Sequence, residues 1–234
     1  MGTSASNTGG KGGGWTRYKR NAYNFARYGG SDRAGKALAG FVGAMGGAAA
    51  AGAAAAPGTQ AGQPLGEFLA ASTGPEGLAG GLEAVGLGHL VGQDRATVLA
   101  ELVTAFGGTG ADLEQEAARL AVLDVLEELL PQGEDVPLDS VQLDEAAVAE
   151  SLCRYIAALV YNRAIPAIDA HLERLQNQAL AQRRDQELRD YTYELVRHEM
   201  RSVSPLMVDW KGAEGHDFVE GILVAVYEQL EGWE

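Results

Sequence analysis

The sequence predicts an all-α fold: a helical bundle preceded by a flexible Gly-rich N-terminal tail. Three observations carry this. Apolar side chains recur at spacings of three and four from position 15 to the end of the chain. Each such run stops at a breaker, among them Gly29-Gly30, Pro57-Gly58, Gly107-Gly108 and Pro131. Nothing alternates like a half-buried strand, and residues 203–210 are the one candidate for an extended piece.

Taken in order, residues 1–14 hold six glycines and no apolar period, too little burial to offset ordering entropy, so a flexible tail is expected. A first helix over 16–28 places Trp15, Tyr18, Ala22 and Phe25 on one face. Ser31 or Asp32 caps a second helix running to position 56, where Pro57-Gly58 ends it. Within it, residues 37–56 carry no charge, and Gly43 and Gly47 stand at the spacing of a close helix–helix contact. Short Gly-punctuated helices are expected over 64–72 and 75–85, and a longer one over 94–106. Thr109 with Asp112 reads as an acidic capping box for a helix to Leu130, followed by an acidic loop over 133–139. The helix over 144–164 buries Val148, Leu152, Tyr155, Ile156 and Leu159, and Pro166 is expected to kink or restart the chain. A charged helix to about Arg201 follows, with Ile165, Ile168, Leu172, Leu175 and Ala179 at heptad spacing, and a final helix spans 214–230. The organisation expected is a tail (1–14), a basic aromatic helix with an Ala/Gly-rich helix (15–58), and an acidic helical bundle (59–234).

The charge is unevenly spread. Residues 1–36 hold seven Lys and Arg against Asp32 alone, a net of +6, so the rest of the chain carries −20 of the total −14. A body that acidic repels nucleic acid and leaves only the N-terminal arm for such contact. One cysteine, Cys153, excludes an internal disulfide framework and fits a reducing compartment. The first 36 residues lack the apolar run of a secretory signal.

Candidate chemistry is sparse. The stretch from Gly30 to Ala37 nearly spells a phosphate-binding loop, but a helix precedes it and Ala37 replaces the hydroxyl that magnesium needs. His216, Asp217 and Glu220 would bind a metal only with distant ligands, and no metal or cofactor of its own is expected. Cys153 lies on an apolar helix face, where a thiol is inert. No nucleophile–base pair stands out, so no catalytic residue is assigned.

The N-terminus is different. Methionine is ordinarily removed before glycine, which would expose the Gly2 α-amine, of pKa about 8 and partly nucleophilic at neutral pH. The arm leads into a helix rich in aromatic and basic side chains: Trp15, Arg17, Tyr18, Arg20, Tyr23, Phe25, Arg27 and Tyr28. Such residues dominate docking surfaces.

The start MGTS, the Gly-rich leader, the stretch RYKRNAYNFARYGGSDRAGKALAGFVGAMGG and the closing helix after DWKGAEG resemble the QatB family of bacterial Qat anti-phage defence systems. The similarity is clearest over the first fifty residues and the C-terminal helices. The resemblance implies a non-enzymatic defence component in the bacterial cytoplasm. Its genetic neighbours would be an ATPase, a QueC-like enzyme (QatC) and a TatD-like nuclease. It further implies that the QueC-like partner, using ATP and a 7-deazaguanine, would conjugate the nucleobase to Gly2, with Thr3 and Ser4 as recognised neighbours. Two other readings compete: a membrane-associated effector using 37–56, and a nucleic-acid-binding adaptor using the basic arm.

Overall fold

The computed structural model describes residues 13–131, 137–175 and 177–233. The tail residues 1–12 and most of the acidic loop lie outside the described residues. Among those described there are ten α-helices, three short 3-10 turns and no strand, so the all-α expectation holds, and residues 203–210 contribute a 3-10 turn at Pro205–Met207 in place of an extended piece.

Helix α1 (Gly13–Tyr28) begins three residues earlier than its apolar period suggests. A Cβ at Gly14 would lie 3.2 Å from the Ala44 Cα, so this glycine belongs to the packing and not to the tail. Tyr18, Ala22, Phe25 and Ala26 form the buried stripe, while Trp15 stays 45% exposed at its end. Gly29 and Gly30, at φ 63° and 91°, turn the chain into α2 (Ser31–Met45), which runs back along α1. Gly30 is the N-cap of α2 and no side chain caps it; Asp32 lies in the first turn and pairs with Lys36 at 2.9 Å. The seam is close because a Cβ at Gly40 would come within 3.1 Å of the Tyr18 backbone.

The single helix expected through position 56 is broken. Gly46 and Gly47, at φ 102° and 98°, separate α2 from α3 (Ala48–Ala54), and the two axes meet at 77°. Gly47 therefore marks a corner and shares no helix face with Gly43. Pro57 does not stop the chain either: it sits in the first turn of α4 (Ala56–Ala71), where a missing N–H costs nothing. Pro64 lies inside the same helix, so the expected start there is also corrected. Gly58, Gly62 and Gly66 line one face of α4, against Leu159, Tyr155 and Trp210 respectively. The Tyr155 hydroxyl donates to the Gly58 carbonyl at 2.5 Å.

Helices α5 (Gly77–Ala84) and α6 (Arg95–Gly107) follow, the latter capped by Asp94. The N-cap of α7 (Leu113–Leu129) is Asp112, whose carboxylate accepts from the Gln115 N–H at 2.9 Å, while the Gln115 side chain accepts from the Ala111 N–H; Thr109 is not part of this cap. Helix α8 (Glu145–Leu172) continues through Pro166, which is exposed, so the chain does not restart there. A proline on the solvent side removes one backbone bond and leaves the buried stripe intact. The break falls later, after Leu172, and Asn177 caps α9 (Gln178–Met200); Leu175 still packs against the core, while Ala179 is exposed. Helix α10 (Ala213–Glu231) closes the chain. Buried side chains from α1 through α10 form one continuous core.

Arg163 is the main charged group in that core, its side chain 1% exposed. It donates twice to Glu114 of α7, at 2.5 and 3.1 Å, and once to the Tyr227 hydroxyl of α10. Its guanidinium also lies over the Phe41 ring of α2, 5.6 Å from the centroid. Four helices thus meet on one cation, which is tolerable in a dry interior because its donors are directed at acceptors.

Candidate docking surface

The surface of α1 is built by elimination: whatever does not face the core faces solvent. Of the eight aromatic and basic residues singled out on it, Tyr18 and Phe25 are buried. The Tyr18 hydroxyl donates to the Ala164 carbonyl of α8, and burial pushes its pKa well above the ordinary tyrosine value. These two anchor the helix. Trp15, Arg17, Arg20, Tyr23, Arg27 and Tyr28 are exposed and form an aromatic and cationic ridge. Gly2, Thr3 and Ser4 lie outside the described residues.

The ridge is internally ordered. The Arg27 guanidinium donates to the Tyr23 hydroxyl at 2.5 Å and lies 5.6 Å from the Tyr28 ring centroid. Arg33 of α2 also lies over the Tyr28 ring, 5.5 Å from its centroid, and donates to the Gly29 carbonyl at 3.0 Å. Tyr23 meets His171 of α8 edge to face at 5.6 Å. Desolvation, followed by the Arg174 charge, lowers the pKa of His171, so this flank does not rely on an imidazolium.

The glycine turn is clamped from α9. The Gly30 N–H donates to Glu187 at 3.1 Å, and Arg184, packed where a Gly29 side chain would be, donates to the same carboxylate at 2.8 Å. Burial opposes ionisation of Glu187, yet the Gly30 N–H and Arg184 outweigh it and hold the carboxyl below its usual range.

Elsewhere, a 450 Å³ cleft between α7, α8 and α9 holds mostly paired charges. Arg154 bridges Glu150 and Glu128, and the Tyr193 hydroxyl donates to Glu150 at 2.7 Å. Cys153 is buried beside it, its thiol pushed up to about 12 by desolvation and then by Glu150, as expected of an inert core thiol. His216, Asp217 and Glu220 bring three donor atoms within 4.8 Å on the outer side of α10, where water reaches them. The near phosphate-loop stretch is a helical turn preceded by α1, with Lys36 engaged by Asp32.

Sequence reasoning missed the flanks of the ridge. Asn21, Arg33 and Lys36 were visible only as local polar residues, and Trp233 arrives from the far end of the chain with no signal linking it to α1. Among the described residues no single helix is long and apolar enough to cross a membrane; the bent pair α2 and α3 passes only jointly, and residues 37–42 are all buried within the protein.

Fold and surface together define an all-α protein with an exposed aromatic and cationic ridge on an otherwise acidic body. Residues 46–230 match the family described as Qat anti-phage system associated protein QatB, and the chain belongs to that family. The matched span takes in the C-terminal helices, where similarity was expected, and the Ala/Gly/Leu-rich middle, where it was not, and it excludes residues 1–45. The glycine face of α4 and its partners explain how that middle can be distinctive: its small residues are fixed by close packing. No curated protein and no solved structure gives a match.

Proposed function

We propose that this chain is a non-enzymatic component of anti-phage defence, acting in the bacterial cytoplasm as partner and protein substrate of a QueC-like enzyme, QatC. The observation that supports it, beside family membership, is the exposed ridge Trp15, Arg17, Arg20, Tyr23, Arg27 and Tyr28, anchored by Tyr18 and Phe25. A docking helix held this firmly loses little freedom when a partner seats on it.

In the proposed reaction the partner uses ATP to adenylate the carboxylate of a 7-deazaguanine, releasing pyrophosphate. The unprotonated Gly2 amine then attacks the acyl carbon. An amide bond forms, the acyl–oxygen bond breaks, AMP leaves with that electron pair, and the amine proton passes to solvent or a base of the partner. Thr3 and Ser4 would be read by the partner pocket. The system ATPase and TatD-like nuclease are further partners on this reading.

Intact mass of the protein co-expressed with its neighbouring genes tests it. The expected species lacks Met1 and carries one nucleobase adduct. Gly2→Ala should suppress the adduct and phage protection with helicity unchanged, because a displacement of about 1 Å at an attacking atom can cost about a hundredfold in rate. A Met-less mass without adduct, under conditions where the partner is active, overturns the proposal.

A further inference from the structure

A groove follows the seam between α1 and α2, on the side of the ridge away from His171. Ala39 and Gly40 form its floor, Arg17, Arg20 and Asn21 one wall, Lys36 the other, and Trp233 closes an end. Past Asn21 and Lys36 it opens into a second hollow lined by Asn24, Asp32 and Arg33. The two hollows measure about 220 and 200 Å³. The floor lies deep because Gly40 lets α2 approach the Tyr18 backbone.

The lining has a definite chemistry. Among the described residues the lining carries Arg17, Arg20, Arg33 and Lys36 and one acid, Asp32, which pairs with Lys36 at 2.9 Å. The Arg33 fork is fixed by the Gly29 carbonyl and the Tyr28 ring. Fixed guanidinium groups favour carboxylates or phosphates. The two asparagines decide between them. A carboxamide carries donor and acceptor together and so complements a peptide backbone. Asn21 already donates to the Lys36 carbonyl at 2.9 Å, which fixes its carboxamide at the junction of the two hollows and leaves its oxygen as an acceptor. Trp233, 44% exposed and braced edge to face on Tyr191 at 6.4 Å, offers a flat apolar wall. A nucleic-acid strand long enough to gain from this patch would run onto a body of charge −20, whereas a short acidic segment stays within the patch.

We infer that this groove binds an acidic segment of a partner protein, its carboxylates on Arg20, Arg33 and Lys36 and an apolar side chain against Trp233. The inference deepens the docking role proposed for α1 and rests on it.

Fluorescence anisotropy on the full chain tests it, using a labelled Glu-rich peptide with one central Leu, its Gln counterpart, and an oligothymidylate of equal length. The Glu-rich peptide should bind about tenfold or more tighter than the Gln form, and less tightly as salt rises. Lys36→Glu and Arg33→Glu should each weaken it about tenfold or more. Trp233→Ala should weaken the Leu peptide and leave one with Gly at that place unaffected. Should a charge reversal lower the melting temperature, Arg20→Gln, at an exposed side chain, carries the same test. Equal binding of the Gln peptide, tighter binding of the oligothymidylate, or insensitivity of folded variants overturns the inference. So does concentration-dependent self-association abolished by Lys36→Glu, which would give the groove to a second copy. The mass measurement on Gly2 is independent: an adduct without peptide binding removes the groove and keeps the conjugation, and the converse result does the opposite.

Discussion

The α1–α2 hairpin and the α7–α8–α9 layer are held by different physics. In the hairpin the backbones themselves meet. Gly14 rests on Ala44 and Gly40 on Tyr18, which lets the two helices close on each other around the Tyr18–Phe41 ring contact. In the α7–α8–α9 layer, leucine, valine and tyrosine fill the interior and arginine–carboxylate pairs lace the surface. Close backbone packing leaves the hairpin's outer side free to carry a cationic surface. The opposite layer uses its arginines on its own carboxylates, and so presents no comparable cationic face. The difference teaches that small residues inside the hairpin and charge outside it are two sides of one arrangement.

The comparison breaks most readily at the residue that joins the two regions. Arg163→Ala removes the group shared by Glu114, Tyr227 and the Phe41 ring, and should cost about 3 kcal/mol, at the low end for a buried pair because Glu114 keeps 30% side-chain exposure. Chemical denaturation measures it. An unchanged midpoint would mean that the hairpin and the α7–α8 layer are not coupled through this cation.

Gly40→Val tests backbone contact in the hairpin. Its Cβ would press on the Tyr18 Cα, which cannot rotate away, so a loss of about 2 kcal/mol is expected, with weaker near-ultraviolet signals from the tyrosines. A stable variant with unchanged tyrosine signals would show that the seam tolerates separation.

The clamp on the glycine turn gives a pH signature. The Glu187 carboxyl is held below its usual range in the folded chain, so the stability it contributes is present above the ordinary carboxylate pKa and is lost as pH falls through the folded value. The melting-temperature gap between the native chain and Glu187→Gln should be largest above about pH 5 and close in stronger acid. A gap that does not change with pH would assign the clamp to packing alone.

The smallest effect is expected in the layer that has the most ion pairs. Arg154→Ala should shift stability by under about 1 kcal/mol, since Arg154, Glu150 and Glu128 are all about half exposed and screened by water. A larger loss would show that the cleft network acts as a unit.

Much of this was legible in the sequence. The helical period gave the class, the expected helix starts at 94 and 144 fall on the N-caps Asp94 and Asp144, and the charge asymmetry located the cationic surface. Pro57 and Pro166 were misleading as helix breaks for a shared reason. Pro57 stands where a helix needs no donor and Pro166 where the missing bond faces water, and sequence spacing does not distinguish such places from a helix interior. The corner at Gly46-Gly47 was hidden among other glycines, since only the path of the chain tells which of them adopts positive φ.

Local chemistry, by itself, determined the helical class, the buried stripe of α1 and the sign of its outer face, because period and charge are properties of neighbouring residues. Only the tertiary structure decided that the Tyr18 hydroxyl reaches the Ala164 carbonyl, that Arg163 joins four helices, and that Trp233 closes a groove lined by Arg20 and Lys36. Those pairings depend on distances between segments far apart in the chain, set when ten helices compete for one interior.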